Sequence, residues 1–230
     1  MFQFKQFTIL QDRCAMKVTE VACLFGAWVN IEKSISILDI GTGTGLLSLM
    51  MAQRKKAQYW AIEIEENSFK QAQENISSSP FFENIKLYHS DIRNFNPEIY
   101  FDTIVCNPPF FENQLKASRT EKNKAWHEES LTLKNLLICV KQFLNEYGTC
   151  YLMLPYLRLE ELKIEALQQH LYLNHSVMIK HTAAHKPKVF FGVLSNVQLP
   201  YSQREIILKN ELGTYSEEVV NLLSAYYIHL

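Results

Sequence analysis

Four polar residues in this sequence stand at the ends of short apolar runs. Asp39 lies in Ile35-Ser36-Ile37-Leu38-Asp39-Ile40, just before Gly41-Thr42-Gly43-Thr44-Gly45. Glu63 follows Tyr59-Trp60-Ala61-Ile62, Asp91 follows Ile85–Tyr88 closely, and Asn107 follows Thr103–Cys106 and opens Asn107-Pro108-Pro109-Phe110. Glycines at alternate positions let a backbone turn tightly and approach a ligand. A Walker phosphate loop requires Gly-Lys-Ser/Thr, and here Leu46 follows Gly45. A dinucleotide fingerprint needs its third glycine at the position Leu46 occupies. S-Adenosylmethionine is the third possibility, because a ligand without phosphate does not need a bare helix N-terminus. Asp39 would face its cationic amine, directly or through water. Glu63 would accept from both ribose hydroxyls and Asp91 from the adenine amine, since ligands bind at the carboxyl ends of such strands. The expected cofactor contacts are Asp39, Gly41, Thr42, Gly43, Gly45, Glu63, Asp91 and Asn107.

The Asn-Pro-Pro-Phe turn suits a planar amine. Pro108 forces Asn107 into extended backbone, and the two prolines remove two backbone donors. The Asn107 side-chain oxygen and the Pro108 carbonyl remain as acceptors. An amine on an aromatic ring is a poor nucleophile because its lone pair is delocalised. Two acceptors on its hydrogens draw the nitrogen toward a tetrahedral arrangement, and Phe110 can stack on the ring. Methyl transfer then needs positioning and electrostatics rather than a strong base. Asn107, Pro108 and Phe110 are the expected catalytic residues. His127 is read as a loop or structural residue.

The elements that must hold these groups alternate along the chain. After the first strand, Thr44 to Lys55 reads as a helix, Tyr59 to Ile62 as a strand, Glu65 to Ile76 as a helix, and Ile85 to Tyr88 and Thr103 to Cys106 as strands. Glu128 to Asn145 is the longest helical pattern, stopped near Gly148, and Cys150 to Leu154 is a fifth strand. A helix over Glu160 to Gln169 follows. Leu173 to Ile179 and Val189 to Leu194 could then pair antiparallel at the sheet edge, and Ser216 to Tyr227 closes the chain as a helix capped by Ser216. Upstream, Phe2, Phe4 and Phe7 suggest a small strand element and Glu20 to Trp28 a short helix. Such alternation implies an α/β fold with a mostly parallel, doubly wound sheet and an antiparallel edge strand. The chain is expected to be one domain: an extension over 1–34, a catalytic core over 35–200, and a strand and helix over 201–230.

Composition limits the function classes. The 230 residues are 47% apolar and 20% charged, with 23 Lys plus Arg against 24 Asp plus Glu. That excludes a disordered chain and a globally basic nucleic-acid coat. Local basic stretches exist nonetheless. Lys116, Arg119, Lys122 and Lys124 lie in 113–127 with only Glu121 opposing them, and Lys180, Lys186 and Lys188 flank His181 and His185 without an acidic neighbour. Lys116, Arg119, Lys122, Lys124, Lys186 and Lys188 are the RNA-binding candidates, meeting phosphates near a flipped base with salt-sensitive affinity. Five cysteines without a Cys-x-x-Cys pair read as small buried hydrophobes in a reducing cytoplasm. No metal site, membrane segment or signal peptide is expected.

These residues together resemble a class I, Rossmann-like methyltransferase of the amino type. More of the chain resembles the bacterial tRNA1(Val) adenine-37 N6-methyltransferase family. The likeness runs through Phe4-Lys5-Gln6-Phe7, Asp12-Arg13-Cys14-Ala15-Met16-Lys17-Val18, Gly26-Ala27-Trp28, the glycine loop, Ala61-Ile62-Glu63-Ile64, and Gln71-Ala72 to Asn75. It continues through Ser79-Pro80-Phe81, Asn107 to Phe111, Thr214-Tyr215-Ser216 and Tyr226-Tyr227. The resemblance implies methyl transfer from S-adenosylmethionine to N6 of an adenine beside a tRNA anticodon. It also implies differences from the family pattern. Thr19-Glu20-Val21-Ala22 stands where Gly-Thr-Asp-Gly is usual, Phe110 where tyrosine is usual, and Trp126 and Val189 where arginines are usual. Asn-Pro-Pro-Phe also occurs in guanine-N2 rRNA methyltransferases, and Asn-Pro-Pro-Tyr in enzymes that methylate a release-factor glutamine. Those families usually carry an added N-terminal domain, whereas about 34 residues precede the first core strand here. A cofactor-binding, RNA-binding module that has lost turnover is the rival of another class.

Overall fold

The computed structural model of the chain describes residues 1–14, 16–108 and 131–230. Two short strands, β1 (Phe2–Gln3) and β2 (Thr8–Ile9), pair antiparallel ahead of helix α1 (Glu20–Trp28). Thr19 caps α1 by accepting from the Ala22 N–H at 3.2 Å. The α/β core follows: β3 (Ser36–Ile40), α2 (Leu46–Arg54), β4 (Gln58–Glu63), α3 (Glu66–Ser77), β5 (Ile85–His89) and β6 (Phe101–Cys106). Then come α4 (Leu133–Phe143), β7 (Leu144–Pro155), α5 (Leu159–Gln168), β8 (Tyr172–Lys180), β9 (Val189–Ser195), β10 (Ser202–Ile207) and α6 (Glu217–Leu223).

Among the described residues, eight strands form one sheet in the order β10-β8-β9-β7-β6-β3-β4-β5. Its inner strands are buried on both faces, which is why they read as continuous apolar runs. Ile37, Ala61, Val105 and Met153 point to a core shared with α1, α2 and α6. Leu38, Ile40, Ile62, Ile104, Cys106 and Leu152 point to a second core, beneath α4 and α5. β9 is antiparallel to β8, the pairing expected of Leu173 to Ile179 with Val189 to Leu194, and it is antiparallel to β7 as well. It is not the outermost strand, however: β8 and then β10 lie outside it, and β10 pairs parallel with β8.

Several boundaries differ from the sequence expectation, among them the start of the helix expected from Glu128, which begins at Leu133 after its Thr132 cap. The helix expected to reach Asn145 ends at Phe143, and the chain enters β7 at once, so this strand starts well before Cys150. Gly148 does not stop a helix; it lies within β7, where the pairing with β6 jumps from Phe101↔Leu144 to Thr103↔Thr149. A Cβ there would stand 2.7 Å from Leu144 Cδ1 and 2.8 Å from the Phe101 carbonyl oxygen, and a backbone neighbour cannot move aside cheaply. Gly148→Ala is expected to cost about 1–3 kcal/mol, read as a lower midpoint in urea unfolding with the slope unchanged. The closing helix stops at Leu223 rather than Tyr227. Tyr226 and Tyr227 instead turn back to the N-terminus, where Lys5 N–H donates to the Tyr226 carbonyl (2.8 Å) and Phe4 bridges to Tyr227.

Candidate active site

The carboxyl ends of β3, β4, β5 and β6 line one rim, because these strands are parallel. Register sets their levels: Ile40 pairs with both Ile62 and Cys106, and Glu63 pairs with His89. The glycine loop therefore leaves β3 where Asn107 leaves β6, and both open on the same side of the sheet. Strand order also reverses here, with β4 and β5 on one side of β3 and β6 and β7 on the other. Open α/β sheets bind ligands in the crevice at such a reversal. Side chains alternate along a strand, so Asp39 and Glu63 share the face of Ile37 and Ala61.

Asp39 is buried, with 1% of its surface exposed. Its Oδ2 accepts from the Thr42 hydroxyl (2.7 Å), the Ser48 hydroxyl (2.8 Å) and the Ser48 N–H (3.2 Å). Its Oδ1 is buried and unpartnered. Burial pushes this carboxyl up to about 6, against the Thr42 and Ser48 hydrogen bonds, and the nearby Glu63 charge adds to the rise. An unpaired buried carboxylate oxygen is costly until a cation or donor reaches it. The residues present thus fit a cationic ligand.

Backbone donors fix Glu63. The Gly43 N–H donates to Oε2 (2.8 Å), and the Ile64 and Glu65 N–H groups donate to Oε1 (both 2.9 Å). The loop is anchored in turn by the Gly41 and Thr42 N–H groups, which donate to the Ile62 carbonyl at 2.9 and 3.0 Å. Gly43 has φ +58, and a Cβ there would meet nothing within 4 Å. Its glycine answers the left-handed turn rather than crowding, and leaves open space beside the carboxylates. A Cβ at Gly41 (φ +69) would likewise meet nothing within 4 Å, while Gly45 (φ +83) packs on Ile76 at the start of α2.

The other expected site residues divide four ways. Asn107 follows β6 directly, with its Oδ1 buried and unpartnered, and Pro108 is buried beside it. Asp91 stands next along the rim, but its carboxylate is engaged: the Arg93 N–H, Nε and guanidinium donate to it at 2.5–3.0 Å and hold it below the usual carboxylate range. The Thr42 hydroxyl is likewise turned inward to Asp39. Lys188 precedes β9 on the same rim, and its carbonyl accepts from the Tyr156 N–H just past β7 (2.8 Å). Lys186 and Lys188 are both exposed, whereas Lys180 pairs with Glu205 at 3.1 Å. Phe110, Lys116, Arg119, Lys122, Lys124, Trp126 and His127 lie outside the described residues. His181 and His185 have their rings 5.6 Å apart, and no group of three or more metal-ligating side chains occurs among the described residues. No helix among them is long and apolar enough to cross a membrane.

Sequence reasoning missed Ser48, which donates twice to Asp39. It also assigned no role to Gln71 and Asn75, whose carboxamides are buried beside Ala72 and Ile76 on α3. Polar side chains at apolar-periodic positions were the available signal.

The chain matches the methyltransferase small domain over residues 22–142. A tRNA1(Val) (adenine(37)-N6)-methyltransferase of Bacteroides fragilis is 36% identical over 232 residues, covering 100% of this chain and 98% of the relative. One from Parabacteroides distasonis is 38% identical over 233 residues, covering 100% and 98%. Among solved structures, a predicted O-methyltransferase from Agrobacterium tumefaciens superposes with TM-score 0.71 at 14% identity, covering 89% of this chain and 95% of that one. A glycopeptide N-methyltransferase complexed with S-adenosylmethionine superposes with TM-score 0.54 at 10% identity, covering 71% and 88%.

Proposed function

We propose, on the premise that this chain belongs to the methyltransferase small-domain family and within it to the tRNA1(Val) (adenine(37)-N6)-methyltransferases, that it transfers a methyl group from S-adenosylmethionine to N6 of adenine 37 in tRNA1(Val). Its relatives carry that activity in their names, and they match the chain from end to end. The observation that carries the reading at residue level is a pair of buried, unpartnered oxygens, Asp39 Oδ1 and Asn107 Oδ1, on adjacent strand ends. One suits the donor's ammonium and the other an N–H of the acceptor.

S-Adenosylmethionine supplies a methyl group activated by a positively charged sulfur. Asp39 holds the donor's ammonium, and the 41–45 turn lets the backbone come close. Glu63, with its carboxylate already fixed by three N–H groups, accepts from the ribose hydroxyls. Asp91 can serve the adenine amine of the donor only through lone pairs that Arg93 leaves. At the acceptor, Asn107 Oδ1 and the Pro108 carbonyl each accept one hydrogen of N6 while Phe110 stacks on the base. The nitrogen lone pair is thereby freed for attack, and its leaving proton passes to solvent without a side-chain base. Lys186 and Lys188, with Lys116, Arg119, Lys122 and Lys124, meet the tRNA phosphates.

The test is transfer from tritiated donor into bulk tRNA, followed by mass analysis of the nucleosides. N6-methyladenosine is the expected product. N2-methylguanosine, or label appearing only in release-factor glutamine, would move the acceptor elsewhere. Tight donor binding without transfer would make the chain a binding module.

A further inference from the structure

The segment before α1 is attached to the rim by two side chains of α3. Asn75, 2% exposed, binds both backbone groups of Leu10: its Oδ1 accepts from the Leu10 N–H and its Nδ2 donates to the Leu10 carbonyl, each at 2.9 Å. The same Nδ2 donates to the carbonyl of Thr44, inside the glycine loop, at 2.9 Å. One turn earlier Gln71, fully buried, accepts from the Arg13 N–H at 3.2 Å. The next residue, Cys14, is buried; burial pushes its thiol up and the charges of Glu63 and Glu65 add to the rise, while a hydrogen bond with Ser68 and the Lys17 charge oppose it. Residues 10–14 therefore run from the glycine loop at one end to the neighbourhood of Glu63 at the other.

The segment's own bonds close its far side. The Val18 N–H donates to Gln11 Oε1 (2.6 Å), and Lys17 Nζ donates to the Gln11 and Cys14 carbonyls at 2.5 and 2.9 Å. A loop closed in this way is shaped locally, but nothing local decides where it sits on the domain. Burying a carboxamide in a core position is unfavourable unless its hydrogen bonds are directed and complete. Here Asn75 directs both of its groups to this segment's backbone and grips the glycine loop as well, while Gln71 gives its oxygen to the segment and donates its Nε2 to Glu74 at 3.3 Å.

We propose that Gln71 and Asn75 are positioning residues that hold residues 10–14 as one wall of the donor site. This rests on the donor lying between the glycine loop and Glu63. Asn75 acts by fixing the distance between wall and loop, since one Nδ2 serves both. It takes no part in the chemical step.

The test combines donor titration calorimetry, amide hydrogen exchange and turnover in Asn75→Ala, with Gln71→Ala as the milder variant should the first fail to fold. Asn75→Ala is expected to speed exchange at the Leu10 amide and weaken donor binding about tenfold, while kcat at saturating donor holds. In Gln71→Ala the faster amide is that of Arg13, again with weaker donor binding. Faster exchange with unchanged donor affinity overturns the wall, and unchanged exchange overturns the attachment. Glu63→Ala is run in parallel. If it keeps full donor affinity, the donor site itself is misplaced; if it loses affinity while Asn75→Ala does not, only the wall is wrong.

Discussion

Asn107→Ala is expected to lower single-turnover methyl transfer into tRNA at least about a hundredfold, the scale on which one positioned group at a reacting centre matters. Its thermal midpoint should not fall. Asn107 Oδ1 is buried without a partner, so removing it deletes an unsatisfied acceptor. The strand end is held independently by the Cys106 pairing with Ile40 and Leu152. Donor affinity should change far less than transfer, because the acceptor oxygen serves the amine. Asn107→Asp keeps an acceptor but adds charge beside a site that already holds Asp39 and Glu63, and should not restore the rate. Full transfer by Asn107→Ala would show that the amine is held elsewhere.

Asp39→Asn is expected to separate stability from function. With its carboxyl pushed up to about 6 by burial, the ionised side chain costs the empty fold about 3 kcal/mol relative to an ordinary carboxylate. The sign follows from the direction of the shift. That cost is absent below the unfolded value of 3.8, where both states are protonated, grows as pH rises, and is complete above about 6. The ligand-free Asn variant should therefore melt higher than wild type at pH 7.5, with the two converging near pH 4. Its amide oxygen can still accept from Thr42 and Ser48. Donor binding should weaken by about tenfold or more, since the ammonium loses its counter-charge. In wild type, donor affinity should fall by up to about tenfold per pH unit below the Asp39 pKa, and in the variant this dependence should be shallower. Calorimetric titrations from pH 5 to 8 read both. A variant that binds donor as tightly as wild type throughout would remove Asp39 from the donor site.

Much of the site was legible because its groups belong to short stretches with strict local demands. A left-handed turn after a buried strand calls for glycine, and prolines after a strand end fix the residue before them. Asp39, Gly41 to Gly45, Glu63 and Asn107 could all be named on those grounds, and parallel pairing brings them to one rim. Asp91 was placed correctly along the rim, but not its partner. Arg93 lies two residues on and takes the carboxylate through a fork of donors that spacing did not reveal. The α4–β7 border was missed for another reason. Helical periodicity continues to Leu144, and Gly148 resembles a stop, whereas the pairing jump opposite Phe101 and Thr103 gives that glycine its place.

The sequence by itself determined which residues turn the chain, which runs are buried, and which polar groups stand at strand ends, because each depends on neighbours a few positions away. Tertiary structure alone decided that β9 lies between β7 and β8 with β10 outermost, that Asp39 keeps one oxygen unpaired, and that Asn75 spans the 65 residues back to Leu10. These are choices of partner between distant segments. They follow from packing and strand register, in which a side chain's surroundings are supplied by other parts of the chain.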